Sequence, residues 1–359
     1  MHKRLFIPGP VDVRQEVLEK MSKPMIGHRT KDATKLQQSI SDKIRKLMYT
    51  ENMILISTSS GSGLMEGAVR SCTAKRAAVF SIGAFGDRWY KMCTANNVPA
   101  DKFSAQLGQA TDPAQVDEVL ATGKYDVITI THNETATGVA NPLDELSAVI
   151  RKYPDVIWLV DAVSSLGGDK IEVDRLGIDI CITSTQKCIG LPPGMSFCSF
   201  SQKALEHAKT VEHRGLYFDF VELARFVEEK PYQYPSTPSL SHMFALDAQL
   251  DYILEEGLDN RFDRHRNMAD RVREWATENY ALYSDPAHLS QTVTCITNTK
   301  NFSVSKLNQL LGERGYSISN GYGALKDKTF RIAHMADTTM DELEALLNTI
   351  DTVVKEMQA

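Results

Sequence analysis

The segments DVITITHNETATG (126–138), VIWLVDAVSSLGG (156–168) and DICITSTQKCIGLPPG (179–194) decide the fold. Each opens on a short, largely β-branched apolar run and ends in a turn of small or polar residues before helix-like sequence resumes. Toward the N-terminus the same unit recurs in MILIS (53–57) and AAVFSIG (77–83). Strand, turn and helix in repetition require crossover connections, which are right-handed, so the pattern predicts a mostly parallel sheet covered on both faces. Just before the first strand, Leu36, Ile40, Ile44 and Leu47 recur at helical spacing.

This α/β unit is expected over residues 16–255, as a large domain. Residues 1–15, rich in proline, read either as an N-terminal arm lying on another surface or as a frayed terminus. Two helical patterns over 238–282, separated by Glu256-Gly257-Leu258, have the character of a connector. Beyond them TVTCITN (292–298), a helix near 303–314, TFRIAH (329–334) and a helix from Thr339 predict a small α+β domain over 256–359.

Composition narrows the function classes. A chain of 359 residues has ample length for a buried core, and 42% hydrophobic with 24% charged residues is ordinary for a globular protein. A net charge of −6 gives no bias toward phosphate backbones or anionic lipid, so neither nucleic acid nor membrane is an expected partner. The six cysteines are dispersed among apolar neighbours with no CxxC pair, which fits free thiols in a reducing compartment. MHKRLFIPGP reaches Pro8-Gly9-Pro10 before any long apolar run, and no stretch approaches the ~18 apolar residues of a membrane span, so the expected location is the cytoplasm.

In open parallel sheets ligands bind beyond the carboxyl ends of the strands, so the residues just after each apolar run carry the information. Ser57-Thr58-Ser59-Ser60-Gly61-Ser62-Gly63-Leu64 is a small-residue loop opening a helix, suited to phosphate and equally compatible with an unliganded turn. Asp161, ending an apolar strand, either meets a cation or caps the following helix. Lys187 lies between an apolar strand and a Gly/Pro-rich turn, where desolvation lowers an amine's pKa, as a Schiff-base nucleophile needs. Together the three ends supply what pyridoxal 5'-phosphate requires: an imine-forming Lys, an Asp for the pyridine nitrogen and a phosphate loop.

With GHR (27–29), SGSG (60–63), GAFGDRW (83–89), HNETATG (132–138), VDAVSSLGG (160–168), STQK through PPG (184–194), YPSTP (234–238) and FRIAH (330–334), the chain resembles the class V aminotransferases, in their alanine–glyoxylate and serine–glyoxylate or serine–pyruvate branch. That resemblance implies the aspartate-aminotransferase-like fold (fold type I) and a homodimer with sites at the subunit interface. It implies transfer of the amino group of alanine or serine to glyoxylate or pyruvate by a ping-pong Schiff-base mechanism. It makes Lys187 the Schiff-base lysine and proton carrier, and Asp161 the partner of the pyridine nitrogen. Gln186 and the Ser62-Gly63-Leu64 backbone would face the phosphate, Thr135 the ring hydroxyl. Tyr234 and Thr237 would reach the phosphate of the neighbouring subunit. Arg331 would bind the substrate carboxylate, and Phe85 would stack on the cofactor where relatives often have Trp.

Rival functions leave recognisable gaps. In a dinucleotide-binding turn the glycine after Gly61-Ser62-Gly63 comes one position earlier than Gly67, and Lys187 has no task. Cysteine desulfurases place a His over the ring and a nucleophilic Cys on a mobile C-terminal loop; here stand Phe85 and the apolar-flanked Cys295. A scaffold that merely binds cofactor would be expected to lack Lys187 or Arg331. No HExxH or short paired His spacing suggests a metal site. Phosphoserine is the alternative donor, since His28, Arg29, His213-Arg214 and His334 are available either as contacts for a second anionic group or for structural roles.

Overall fold

The computed structural model describes residues 2–230 and 232–358. Strands β1 (Arg4–Phe6), β2 (Met53–Ser57), β3 (Ala77–Ser81), β4 (Ala100–Ser104), β5 (Val127–Thr131), β6 (Ile157–Asp161), β7 (Ile180–Ser184) and β8 (Ser196–Phe200) occupy the first two hundred residues. All but β1 build one seven-stranded sheet in the order β2-β8-β7-β6-β5-β3-β4. Pairings from β7 through β4 are parallel, while β8 runs antiparallel to both β2 and β7.

Each of the five quoted apolar runs is a strand of this sheet, and its central members are buried along their whole length. Burial on both faces is why they read as continuous apolar runs and not as alternations. Two strands lie outside that pattern. Edge strand β4, ADKFS, carries charges and is half exposed, and β8, SFCSF, alternates hydroxyls with aromatics.

The amphipathic stretch before β2 is helix α1 (Lys31–Met48), started by the Thr30 hydroxyl accepting the Ala33 N–H and stopped by Tyr49 in the left-handed conformation. Helices α2 (Gly61–Cys72) and α3 (Ala84–Ala95) follow β2 and β3. The connector is α4 (Leu240–Glu256) and α5 (Leu258–Asn279), broken at Gly257, whose φ of 83° suits glycine. Among the described residues no helix is long and apolar enough to cross a membrane.

A second sheet joins β1, β10 (Tyr316–Asn320), β11 (Thr329–Ala333) and β9 (Val293–Thr297) in that order, edged by Ala281–Leu282. Its apolar face packs on α5 and on α6 (Met340–Gln358), forming a core around Trp275, Phe330, Leu343 and Leu346 that is separate from the core of the large sheet. Residues 4–6 therefore add a strand to the distant sheet, parallel to β10 with Phe6 opposite Ile318. The chain then runs back along the lysine turn, where the Val11 N–H meets the Gln186 carbonyl at 3.2 Å.

Phe6 is fully buried in the second core. Phe6→Ala is expected to destabilise the protein by about 3–5 kcal/mol, read from its urea-unfolding midpoint. An unchanged midpoint would mean that β1 contributes no packing.

Candidate active site

The carboxyl ends of β2, β3, β5, β6 and β7 open on one side of the large sheet, and the sequence-selected residues converge there. Asp161 is the last residue of β6, buried, with the Val163 N–H donating to its Oδ1 at 2.9 Å. Burial pushes its carboxyl up to about 6, opposed by that N–H and by the charges of Arg88 and Lys187. Lys187 sits in the tight turn Thr185–Ile189 that leaves β7. Burial lowers its amine to about 8, against the favourable charge of Asp161. Its Nζ donates to the Pro8 carbonyl. Gly9, at a φ of +80°, lies against the Lys187 side chain, where a Cβ would collide with its Cδ. The returning arm is thus a wall of the site.

The start of α2 packs beside these residues. A Cβ on Gly61 would strike the Val163 side chain at 2.5 Å, so the helix end approaches the β6 turn as closely as backbone allows. No side chain caps this helix, leaving N–H donors at its positive end, while Leu64 is anchored in the core. Nearby, the buried Ser184 hydroxyl and the Gln186 side-chain oxygen have no partner among the described residues. A half-turn of the Gln186 amide presents its NH2 group at the same place. An uncapped helix start with an unpartnered hydroxyl and amide fits a phosphate group. A buried Lys and Asp beside it fit the imine and the ring nitrogen of pyridoxal phosphate.

Arg331, on β11, reaches the same space from the small domain. It is 7% exposed, and no carboxylate lies within ion-pair distance among the described residues. Nε and Nη2 donate to the Asn320 carbonyl at 3.2 and 2.9 Å, and Nη1 donates to the Thr135 carbonyl at 3.0 Å. A guanidinium has five N–H donors, so one donor on each terminal nitrogen remains. The Thr135 hydroxyl lies 2.8 Å from that of Ser164. Phe85, in the first turn of α3, lies under the Arg88 guanidinium, whose carbon is 4.8 Å from the ring centre. Arg88 also donates to the Ser62 hydroxyl at 3.0 Å.

The remaining sequence-selected residues form a separate group in this chain. Arg29 donates to the Tyr234 and Pro235 carbonyls at 2.5 and 3.2 Å, which joins GHR to YPSTP. The Tyr234 hydroxyl turns inward, accepting the Ile56 N–H at 2.7 Å and the Gln37 amide at 3.0 Å, whereas Thr237 is exposed. His28, half-buried, has no hydrogen-bond or ion-pair partner among the described residues. Of the other cations considered for a second anionic group, Arg29 and Arg214 are engaged and His334 is buried and uncharged, while His213 is exposed with no hydrogen-bond or ion-pair partner among the described residues. Arg214 donates to Asp219 at 2.9 Å, and buried His334, 3.1 Å from the Thr294 hydroxyl, is driven down to about 3 by desolvation.

Comparison with known proteins gives the geometry its family. The family model described as aminotransferase class V matches residues 9–346. The chain belongs to the class V aminotransferases. It is 36% identical to an uncharacterised aminotransferase of Methanocaldococcus jannaschii, over 99% of this chain and 93% of that one. It is 28% identical to the serine–glyoxylate aminotransferase of Arabidopsis thaliana, over 98% and 90% of the two chains. The solved alanine–glyoxylate aminotransferase of Nostoc sp. shares the fold, with a TM-score of 0.93 at 24% identity over 99% of this chain and 96% of that one. An aminotransferase needs no cysteine nucleophile, and Cys295 is unfit to be one. It is buried on β9 with its thiol pushed up to about 11 by desolvation, and the other five cysteines are buried too.

Three contributors to this aminotransferase site escape sequence reading. Arg88 stands three residues after Phe85, so helical spacing alone puts both on one face. Glu134, the acid within HNETATG, is fully buried; it accepts the Phe85 and Gly86 N–H groups at 2.9 and 3.3 Å and the Ala136 N–H at 3.0 Å. One carboxylate thereby fixes both the ring-bearing start of α3 and the turn whose carbonyl holds Arg331. The third is Arg261, which donates to the Cys188 and Gly167 carbonyls, each at 2.7 Å, and pairs with Asp337 at 3.1 Å. Arg261 and Asp337 are 76 residues apart, and no local pattern joins them.

Burial pushes the Glu134 carboxyl up to about 7, against the pull of its three N–H donors. An unfolded Glu releases its proton near about 4.3. The folded state holds more protons between those values, so Glu134 withdraws stability as pH rises through that window. In denaturant titrations at about pH 5 and about pH 8, the wild type is expected to lose more stability than Glu134→Gln, by up to roughly 3 kcal/mol. Equal losses would show that folded Glu134 ionises like an unfolded one.

Proposed function

We propose that this aminotransferase moves the amino group of alanine or serine to a 2-oxo acid such as glyoxylate or pyruvate, using pyridoxal 5'-phosphate held by Lys187. The observation that carries the substrate assignment is Arg331: a buried guanidinium without a carboxylate partner and with one N–H left on each terminal nitrogen. That pair of donors suits a single carboxylate bound through both oxygens. Arg29 and Arg214 are already engaged and His334 is neutral, so of the candidate contacts for a second anion only His28 and exposed His213 remain, with no unpaired arginine among them. This favours an unphosphorylated donor over phosphoserine, in keeping with relatives named for serine and alanine.

The cofactor, when bound, supplies an electron sink for negative charge at the substrate's α-carbon. The chain supplies everything else. Lys187, with its amine lowered to about 8, is substantially neutral at mildly alkaline pH and can attack a carbonyl carbon. The same amine would take up the proton released from the substrate's α-carbon. Asp161 would hold positive charge at the ring nitrogen, while Ser62, Gly63 and Leu64 with Gln186 would hold the phosphate. Phe85 supplies a stacking face and Thr135 a hydroxyl beside the ring. Arg331 would fix the carboxylate of the donor amino acid and of the acceptor 2-oxo acid in turn, so both bind at the same place.

We also assign this enzyme a homodimeric state. Exposed Thr237 would reach the phosphate of a neighbouring subunit, with Tyr234 anchoring the segment to β2, and His28 would contact the substrate.

Arg331→Ala is expected to lower kcat/KM for alanine and serine by at least about a hundredfold, the worth of a bidentate charged pair of about 3 kcal/mol, with cofactor affinity unchanged. Lys187→Ala is expected to abolish borohydride-fixed cofactor. Undiminished turnover in the first variant, or fixed cofactor in the second, would overturn the corresponding assignment.

A further inference from the structure

One ring at the mouth of the site has no task in the chemistry above. Tyr322 lies between β10 and β11, 42% exposed, and its hydroxyl makes no hydrogen bond among the described residues. Its ring centre is 5.9 Å from that of Phe85, with the planes at 40°. The Arg331 guanidinium carbon is 5.7 Å from the same ring centre. Phe85 belongs to the large domain and Arg331 to the small one, so Tyr322 spans the cleft between them.

The ring's position is set by its backbone. A Cβ on Gly321 would collide with the Leu325 carbonyl, and the 3-10 turn Gly323–Leu325 follows at once, ending on buried Leu325. Tyr322 thus leaves a tight, anchored turn and rests on Phe85 and Arg331. A carboxylate on the two remaining Arg331 donors would sit about 2.8 Å from their nitrogens, beside the Tyr322 ring that packs on the guanidinium. The ring lies against the guanidinium itself, so a substituent longer than one or two heavy atoms meets aromatic carbon.

We propose that Tyr322 is a specificity-determining residue that limits the donor to small side chains by closing the cleft over Arg331 and Phe85. The proposal rests on the assignment of Arg331 to the substrate carboxylate and adds the side-chain class to it. The ring does this work, since the hydroxyl has no partner. Replacing Tyr322 by Phe therefore preserves the limit and replacing it by Ala lifts it.

Two readouts on the cofactor-loaded protein test this. Steady-state kcat/KM for leucine relative to alanine is expected to rise at least ~10-fold in Tyr322→Ala and to stay within about twofold of wild type in Tyr322→Phe. Binding of the unreactive carboxylates acetate and 4-methylpentanoate, followed by perturbation of the visible absorption band, is expected to show the same gain for the longer acid in Tyr322→Ala. Unchanged ratios in both measurements would overturn the proposal. A wild type that turns over neither alanine nor serine would overturn the donor assignment instead. The binding measurement, which requires no turnover, would then decide Tyr322 by itself.

Discussion

Keeping the Lys187 amine out of water constrains everything built around it. An ammonium is costly to bury, and desolvation lowers Lys187 to about 8. The turn that carries it must also be held against relaxing toward solvent. Gly190, at a φ of +82°, closes that turn. The Gln249 amide takes the Ile189 carbonyl at 2.9 Å, and Arg261 takes the Cys188 carbonyl. Asp337 gathers Arg261, Gln249 and Arg14, with its carboxyl held well below the usual range by those partners despite its burial. A connector helix, the small domain and the N-terminal arm thus converge on one turn of the large sheet. Breaking such a buried network leaves uncompensated charge, so its members are held together or lost together.

The site side of that turn is arranged by charge. Asp161 and Lys187 share the space beyond β6 and β7, each favouring the other's ionised form, with Arg88 opposing Lys187 and favouring Asp161. Glu134 lies behind them as a hydrogen-bond hub, and Arg331 feels its charge from the small domain. Among the described residues Arg331 has no close counter-ion, although burial disfavours its charge. Such an arrangement is poor as structure and useful as a receptor for an anion that comes and goes.

Legibility in the sequence follows the range of each interaction. Strands buried on both faces are continuous apolar runs, which makes β3, β5, β6 and β7 plain; edge strand β4 carries charges, and β8, although buried throughout, alternates hydroxyls with aromatics. Asp161 and Lys187 stand out because each ends such a run, where its chemistry contradicts its surroundings. The role of Glu134 depends on N–H groups contributed by α3, and that of Asp337 on residues 76 and 323 positions away. Nothing near them in sequence announces those partners. The arm shows the same limit: its proline-rich composition suggests a segment lying on a surface, but β1 joins the small sheet through register with β10, which only the folded chain reveals. Tyr234 resembles a phosphate contact by motif, while in this chain its hydroxyl is bound to the β2 backbone.

The central claim is that the Lys187, Asp161 and Arg331 constellation carries out half of an amino transfer on a small donor. The most direct measurement is the visible absorption spectrum of the protein loaded with pyridoxal phosphate, recorded after adding alanine or serine without an acceptor and again after adding glyoxylate. The expected result is loss of the visible band with release of one 2-oxo acid per Lys187, and its return with glyoxylate. A protein that stays colourless with pyridoxal phosphate, or whose band ignores both donors, would contradict the account.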